Sequence, residues 1–349
     1  MRIAITRNQV PFINGGAESH TNTLCQALRA HGHEADVITL PFRFAPESQV
    51  ERCMQAWADQ DLTQLTGYTP DLVICMQFPC YLAKHPNKIT WLIHQHRAVY
   101  DLWDTPYVGD WPKQPEAQAL RRAIHEADAK YLPECRRLLT ISRRVSERLK
   151  QFHGLDSLPL HHLPMADTND ILPGPAEDYI FFPSRFESLK RQSLLIRAMS
   201  LVRSPVVALF AGDGGQLPAA HALVAELNLS NRVRLMPRIW RREVMSAFYG
   251  HALAVCFPPH DEDYGYITVE AMMAAKPVIT CTDSGGPLEF VRDGETGLVV
   301  APEPAAIADA IDRLASNRSW ARDLGQAGRA DLLARDLSWD RVVRTLIGS

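Results

Sequence analysis

The seven cysteines, Cys25, Cys53, Cys75, Cys80, Cys135, Cys256 and Cys281, are odd in number and include no Cys-x-x-Cys pair. Several sit in apolar stretches, so buried free thiols in a reducing compartment fit better than a bridge framework or a zinc site. No apolar run approaches the roughly 20 residues of a membrane-spanning helix. A basic surplus is missing too: 37 Lys and Arg stand against 40 Asp and Glu, and a net charge of −3 argues against a dedicated nucleic-acid binder. The opening strand, Arg2 to Thr6, is not followed by Gly-x-Gly-x-x-Gly, which argues against a dinucleotide-dependent dehydrogenase. Because that strand begins at once, no secretory leader is expected and the chain reads as cytoplasmic.

What is present is an ordinary globular composition, 46% hydrophobic and 22% charged, over 349 residues. That length exceeds what one core usually supports, so two domains are expected. The N-terminal half alternates strand and helix. Ile3 to Thr6 reads as a strand, Gly15 and Gly16 as a tight loop, and Ala17 to His31 as a helix with Leu24, Ala27 and Leu28 on one face and Gly32 at its stop. Such a layout brings backbone N–H groups toward a phosphate, yet glycine pairs also occur in turns without a ligand. Further strands are predicted at Ala35 to Leu40, Leu72 to Met76, Ile89 to Ile93 and Leu138 to Ser142. The strand ending at Ile93 runs into His94, Gln95, His96 and Arg97 on the edge where such sheets take ligands. His94 and His96 suit a functional position, a structural role or, least well for want of a third partner nearby, metal ligation.

From 113 to 150 basic residues outnumber acidic ones, and Arg121, Arg122, Arg136, Arg137, Arg143, Arg144 and Arg148 recur on helical segments. A solvated face accounts for this pattern, and so does peripheral attachment to an anionic membrane surface or to a phosphorylated acceptor. Between Leu158 and Pro175, the prolines Pro159, Pro164, Pro173 and Pro175 with Asp167, Asn169 and Asp170 mark a linker. Domains are therefore expected at 1–165 and 166–335, with 336–349 as a last helix.

The second half repeats the plan of the first. Strand Tyr179 to Pro183 leads to Ser184, Arg185 and Lys190 and then to a helix carrying Leu194, Leu195, Ala198 and Met199. Strand Val206 to Ala211 ends in Gly212, Asp213, Gly214 and Gly215. An apolar strand, Ala252 to Phe257, turns at Pro258 and Pro259 and precedes Glu262 and Glu270, with Gly265 between them. From Tyr266, the residues Ile267, Val269, Ala271, Met272 and Ala275 suit a mostly buried helix, so Glu262 lies in the loop ahead of it and Glu270 in its second turn. The helix start, at Tyr266, Ile267 and Thr268, carries free N–H groups and a partial positive charge, an anion site for which phosphate is the obvious guest. After strand Pro277 to Cys281, the residues Ser284, Gly285 and Gly286 let backbone approach a ligand closely. Helices at Ile307 to Leu314, Trp320 to Leu333 and Trp339 to Ile347 follow.

This ordered set resembles the donor site of the retaining glycosyltransferases of family 4, which have the GT-B fold. Their pattern is Glu, seven residues, Glu, with Gly and a hydrophobic residue inside it, then Glu-Ala-Met, Pro-Val and Gly-Gly. Glu262, Gly265, Tyr266, Glu270, Ala271, Met272, Pro277, Val278, Gly285, Gly286 and Glu289 all fall in place. Gly15, Gly16, Ala17 and Glu18 match a loop that in the family lies over the donor phosphates and the acceptor. The resemblance implies an α/β, GT-B architecture of two Rossmann-like domains facing across a cleft, with the final helix returning to the first domain. It implies roles as well: His94 near the reacting centre, with His96 as second choice; Arg185 and Lys190 on the diphosphate; Glu262 on the transferred sugar; Glu270 on the ribose. Gly15, Gly16, Gly265, Tyr266, Ile267 and Thr268 would face the donor, and the loop around Pro237 and Arg238 is expected at the base. Departures from the pattern are Arg191 in place of a usual glycine, Pro183 and Ser184 before the arginine, and Asp263 in place of a common glycine.

The expected reaction moves a sugar from a UDP- or GDP-sugar to a hydroxyl with retention, in cell-surface polysaccharide or glycoconjugate synthesis. Breaking the anomeric bond puts negative charge on the diphosphate and oxocarbenium character on the sugar, so fixed donors at the developing charge supply the largest catalytic term. With lysine, arginine and amides in that place, no metal or other cofactor is expected. The partners expected are the nucleotide-sugar donor and a saccharide, lipid-linked or small-molecule acceptor, and no nucleic acid. Other readings stay open: a hydrolase with paired carboxylates Glu262 and Glu270, a non-catalytic nucleotide-sugar-binding protein, and a NAD-dependent oxidoreductase.

Overall fold

The computed structural model describes residues 1–12, 15–65, 67–164, 171–239 and 241–348. The chain divides into two compact units, one of Met1–Ala166 with Leu337–Ser349 and one of Asp167–Asp336. Asp167, Asn169 and Asp170 of the expected linker lie outside the described residues.

The first unit is built on β1 (Arg2–Gln9), β2 (Glu34–Pro41), β3 (Leu72–Cys75), β4 (Lys88–Leu92), β5 (Leu138–Thr140) and β6 (Leu158–Pro159). They form one parallel sheet in the order β2-β1-β3-β4-β5-β6. Helices α1 (Gly16–Ala30), α2 (Glu47–Ala58), α3 (Pro115–Tyr131) and α4 (Arg143–His153) join the strands. Both faces of such a sheet are covered, so its central strands are mostly apolar, and every residue of β3 and β4 is buried, Lys88 and Thr90 included. In α1, Leu24, Cys25 and Leu28 recur at helical spacing and are the buried apolar face. The proline-rich stretch expected to be pure linker contains β6. A two-residue edge strand tolerates Pro159, because an edge has no ladder bond waiting for the missing N–H.

The second unit repeats the arrangement with β7 (Tyr179–Pro183), β8 (Val207–Ala211), β9 (Val233–Met236), β10 (Ala254–Cys256), β11 (Val278–Cys281) and β12 (Gly297–Val300). Its helices are α5 (Gln192–Met199), α6 (Leu217–Glu226), α7 (Arg242–His251), α8 (Tyr266–Met273), α9 (Pro304–Ser316) and α10 (Arg318–Ala334). Phe182, Phe210, Ile196, Met199, Ile307 and Ile311 meet in its core. The strand order is β12-β11-β10-β7-β8-β9, all parallel. The chain thus runs from β7 to β9 on one side and returns with β10 on the other. The carboxyl ends of β7 and β10 therefore flank the point where the winding reverses, the crevice in which open parallel sheets bind ligands.

The final helix, α11 (Trp339–Ile347), packs on α1 in the first unit. Trp339 joins His20, Trp91 and His162, with ring centroids 6.2, 6.1 and 5.5 Å away, and Arg137 Nη1 donates to Thr345 O at 2.7 Å. The arginines of the 113–150 stretch are accordingly not one solvated face. Arg148 is 1% exposed beside Asp101, and Arg121 lies 4.5 Å from the Trp103 ring. Among the described residues no helix is long and apolar enough to cross a membrane.

Candidate active site

Three loops of the second unit converge at the β7/β10 edge. The first, 184–191, follows β7, the second, 257–265, follows β10, and the third, 282–286, follows β11. Backbone bonds lace them: His260 N donates to Leu189 O at 2.7 Å, Asp261 N to Asp283 O at 2.8 Å, Glu262 N to Ser284 O at 2.9 Å and Gly286 N to Glu262 O at 2.8 Å. Such close approach explains the glycines. A Cβ on Gly285 would lie 2.6 Å from Glu262 O, and one on Gly286 would lie 2.7 Å from Tyr264 backbone. In this frame Lys190 Nζ donates to Glu262 Oε2 at 2.5 Å, an ion pair with side chains 21% and 17% exposed. A cation and a carboxylate 72 positions apart in sequence are thus brought together at this sheet edge.

Gly265 starts α8 in a left-handed conformation, φ +91°, where a side chain would be strained and would press on Pro287. It therefore has no side chain with which to cap the helix, and Thr268 N turns back to Gly265 O at 2.9 Å. Tyr266, Ile267 and Thr268 make up the first turn, and Thr268 Oγ1 is buried with no hydrogen-bond partner among the described residues. One turn on, Glu270 Oε2 accepts from Tyr249 Oη at 2.5 Å. Burial pushes the Glu270 carboxyl up to about 7, against the opposing pull of the Tyr249 bond and of the Arg242 charge. Tyr249, 1% exposed on α7, has no warning signal in the sequence, because its partner lies on another helix.

Arg185 also stands in the first loop, with its side chain 46% exposed and 3.7 Å from Glu187. Its carbonyl accepts from Gln192 Nε2 at 2.6 Å, and Phe186 N donates to Asp213 O at 2.6 Å. The loop after β8 is pressed against this segment, since a Cβ on Gly214 would lie 2.5 Å from Phe186 O. Arg238 follows β9 and is half-buried. The donor-side residues read from the sequence in the second half thus share one unit and one sheet edge.

The remaining predicted residues lie in the first unit. Gly15 and Gly16 open α1, with Gly15 at an ordinary φ of −132°. Gly15 N donates to Glu18 Oε2 at 2.8 Å, and Glu18 Oε1 sits 3.5 Å from Arg7 Nη1. Beyond β4, His94 is half-buried with Nδ1 2.6 Å from Gln95 O. His96 differs: neither ring nitrogen has a hydrogen-bond partner among the described residues, its ring meets Phe78 edge-on, and burial pulls its pKa down to about 4. Tyr81, ahead of β4, and Tyr100, beyond it, both donate to buried Asp128, at 2.5 and 2.7 Å, and fasten the segments on either side of β4 to α3. As to metals, Asp261 and Asp263 flank Glu262 at an Asp-x-Asp spacing, but among the described residues no group of three or more His, Cys, Asp or Glu is arranged to hold an ion.

Two parallel six-stranded units with these loops define the GT-B class of glycosyltransferase. The chain is similar over its full length, and over all of the other chain, to Anabaena HepE crystallised with UDP and glucose, with a TM-score of 0.71 at 17% identity. It is similar to sucrose-phosphate synthase from Thermosynechococcus elongatus over 99% of each chain, with a TM-score of 0.76 at 21% identity. The family profile described as glycosyl transferases group 1 matches residues 168–331, and that of glycosyltransferase family 4 matches residues 14–166. A D-inositol 3-phosphate glycosyltransferase of Nocardia farcinica is 30% identical over 336 residues, covering 83% of this chain and 71% of that protein. Its namesake in Frankia alni is 33% identical over 187 residues, covering 49% of this chain and 44% of the other. The chain belongs to the group 1, family 4 glycosyltransferases.

Proposed function

We propose that the chain transfers a sugar from a nucleoside-diphosphate sugar to an acceptor hydroxyl with retention of anomeric configuration and without a metal ion. The observation that carries this reading is the Lys190–Glu262 pair at the β7/β10 edge, in the unit that also holds the uncapped start of α8. On donor binding, Lys190 exchanges Glu262 for a diphosphate oxygen, with Arg185 as the second cation. Glu262 then accepts from hydroxyls of the sugar, and Glu270 accepts from the ribose. The bond from the anomeric carbon to the diphosphate oxygen breaks while the acceptor oxygen bonds to that carbon on the same face. The departing phosphate takes the acceptor proton. Fixed cations and amides stabilise the charge that develops, which is the work a divalent ion does elsewhere.

UDP is the favoured donor nucleotide, since it is named in the complexes of similar structures, with GDP as the alternative. For the acceptor, the relatives named for D-inositol 3-phosphate favour a small phosphorylated polyol over the cell-surface saccharide expected from resemblance alone. The test is a thermal-shift comparison of UDP, GDP and NAD, followed by donor turnover with each of a set of polyol phosphates and their unphosphorylated parents. Stabilisation by UDP or GDP and turnover with a hydroxyl acceptor is the expected result. Stabilisation by NAD alone would overturn the reading.

A further inference from the structure

The residue after Lys190 turns the chain into α5 through a left-handed conformation: Arg191 has φ +55° and ψ +42°. Glycine takes that conformation without strain, and a purely local fit would place glycine there. The arginine side chain instead reaches the loops after β10 and β11. Nε donates to Pro258 O and Nη2 to Pro259 O, while Nη1 and Nη2 each meet one carboxylate oxygen of Asp283, all at 2.7 Å. The loop carrying Lys190, the loop carrying Glu262 and the loop leading to Gly285 and Gly286 are therefore tied to one guanidinium, 14% exposed. Only a planar fork makes this set of bonds; an ammonium on a flexible stem does not. The Asp283 carboxyl stays below the usual carboxylate range despite its partial burial, because Arg191 and His260, 3.5 Å away, favour its charged form.

We propose that Arg191 is a positioning residue of the donor site: its guanidinium fixes the Lys190 and Glu262 loops against each other and cancels the Asp283 charge within a pocket meant for a diphosphate. This rests on the donor reading given above. Two consequences separate it from a merely structural role. First, Arg191→Gly suits the backbone and leaves a folded chain, yet loses the tie. Second, the unpaired Asp283 carboxylate then repels an anion, so removing that charge as well should restore part of the affinity.

The experiment is a calorimetric titration of UDP and GDP into wild type, Arg191→Gly, Arg191→Lys and the double variant Arg191→Gly with Asp283→Asn, each checked for folding by circular dichroism. For whichever nucleotide binds wild type, Arg191→Gly is expected to weaken binding about tenfold or more. Arg191→Lys is expected to be weakened as well, since it keeps the charge without the fork, and the double variant should bind more tightly than Arg191→Gly alone. The proposal is overturned if Arg191→Gly binds as wild type does, or if the double variant is no better than the single one. Should wild type bind neither nucleotide, it is the donor reading itself that fails.

Discussion

The chain contains two passages of strand, glycine loop and helix, at Gly15–Gly16 and at Gly265, that look alike as sequence and differ in space. In the first unit Gly15 has ordinary extended backbone, and its N–H is taken by Glu18 from the first turn of the same helix. The Gly15 N–H is therefore met by the helix's own carboxylate, held in turn near Arg7. In the second unit Gly265 and Gly285 take positive φ, Gly265 has no side chain with which to cap α8, and the nearest acid on the helix, Glu270, is held one turn away by Tyr249. Both helices start from a glycine, which offers no capping side chain, and they differ in whether an acid of the first turn reaches back. A first turn without an acid of its own keeps its partial positive charge for an anion from outside.

Several substitutions test that contrast. Lys190→Ala removes the cation paired with Glu262 and should lower kcat/KM for the donor about a hundredfold or more in steady-state turnover. Near wild-type turnover would place the diphosphate elsewhere. Next in size is Gly285→Ala, which puts a Cβ 2.6 Å from Glu262 O at φ +70°. A loss of about 1–3 kcal/mol in denaturant unfolding is expected, together with weaker nucleotide binding.

A smaller effect is expected in the pH dependence. In the proposed function Glu270 accepts ribose hydroxyls as the carboxylate, so donor kcat/KM should rise as the pH passes through about 7. Tyr249→Phe deletes the bond that favours the charged form, and the midpoint should move upward. The native Glu270 holds its proton more tightly than an unfolded carboxyl does. Its contribution to stability is therefore intact below the ordinary value of 4.5 and is lost as the pH rises toward about 7, and Glu270→Gln should flatten that fall in thermal melts. The smallest effect belongs to Gly15→Ala. A Cβ there meets only Glu18 Oε2, at 3.5 Å, so the change should cost less than about 1 kcal/mol. A collapse of activity in that variant would show that the first glycine loop is as open to ligand as the second.

Much of this was legible in the sequence. Several strands are mostly apolar runs, such as Val207–Ala211, because both faces of each sheet are covered, and burial of that kind leaves an unmistakable composition. The glutamates, the glycines between and after them, and Lys190 are legible because each serves a backbone or charge requirement that few residue types can meet. What escaped has physical causes. β6 hides in a proline-rich run, since a two-residue edge strand needs no pattern of its own. Arg148 and Arg121 read as surface charge until packing places one beside Asp101 and the other over Trp103. Tyr249 against Glu270, and Arg191 against Asp283, are meetings between elements distant along the chain, and local sequence carries no mark of them.

The place of α11 also bears on how the molecule is made. Residues 337–348 finish a unit that began at Met1, and the whole of the other unit is encoded between them. On a translating ribosome, His20, Trp91 and His162, all nearly inaccessible in the finished chain, must wait for Trp339 to emerge. The unit that starts first is therefore completed last, and the later-born unit can mature while its elder is still missing a wall.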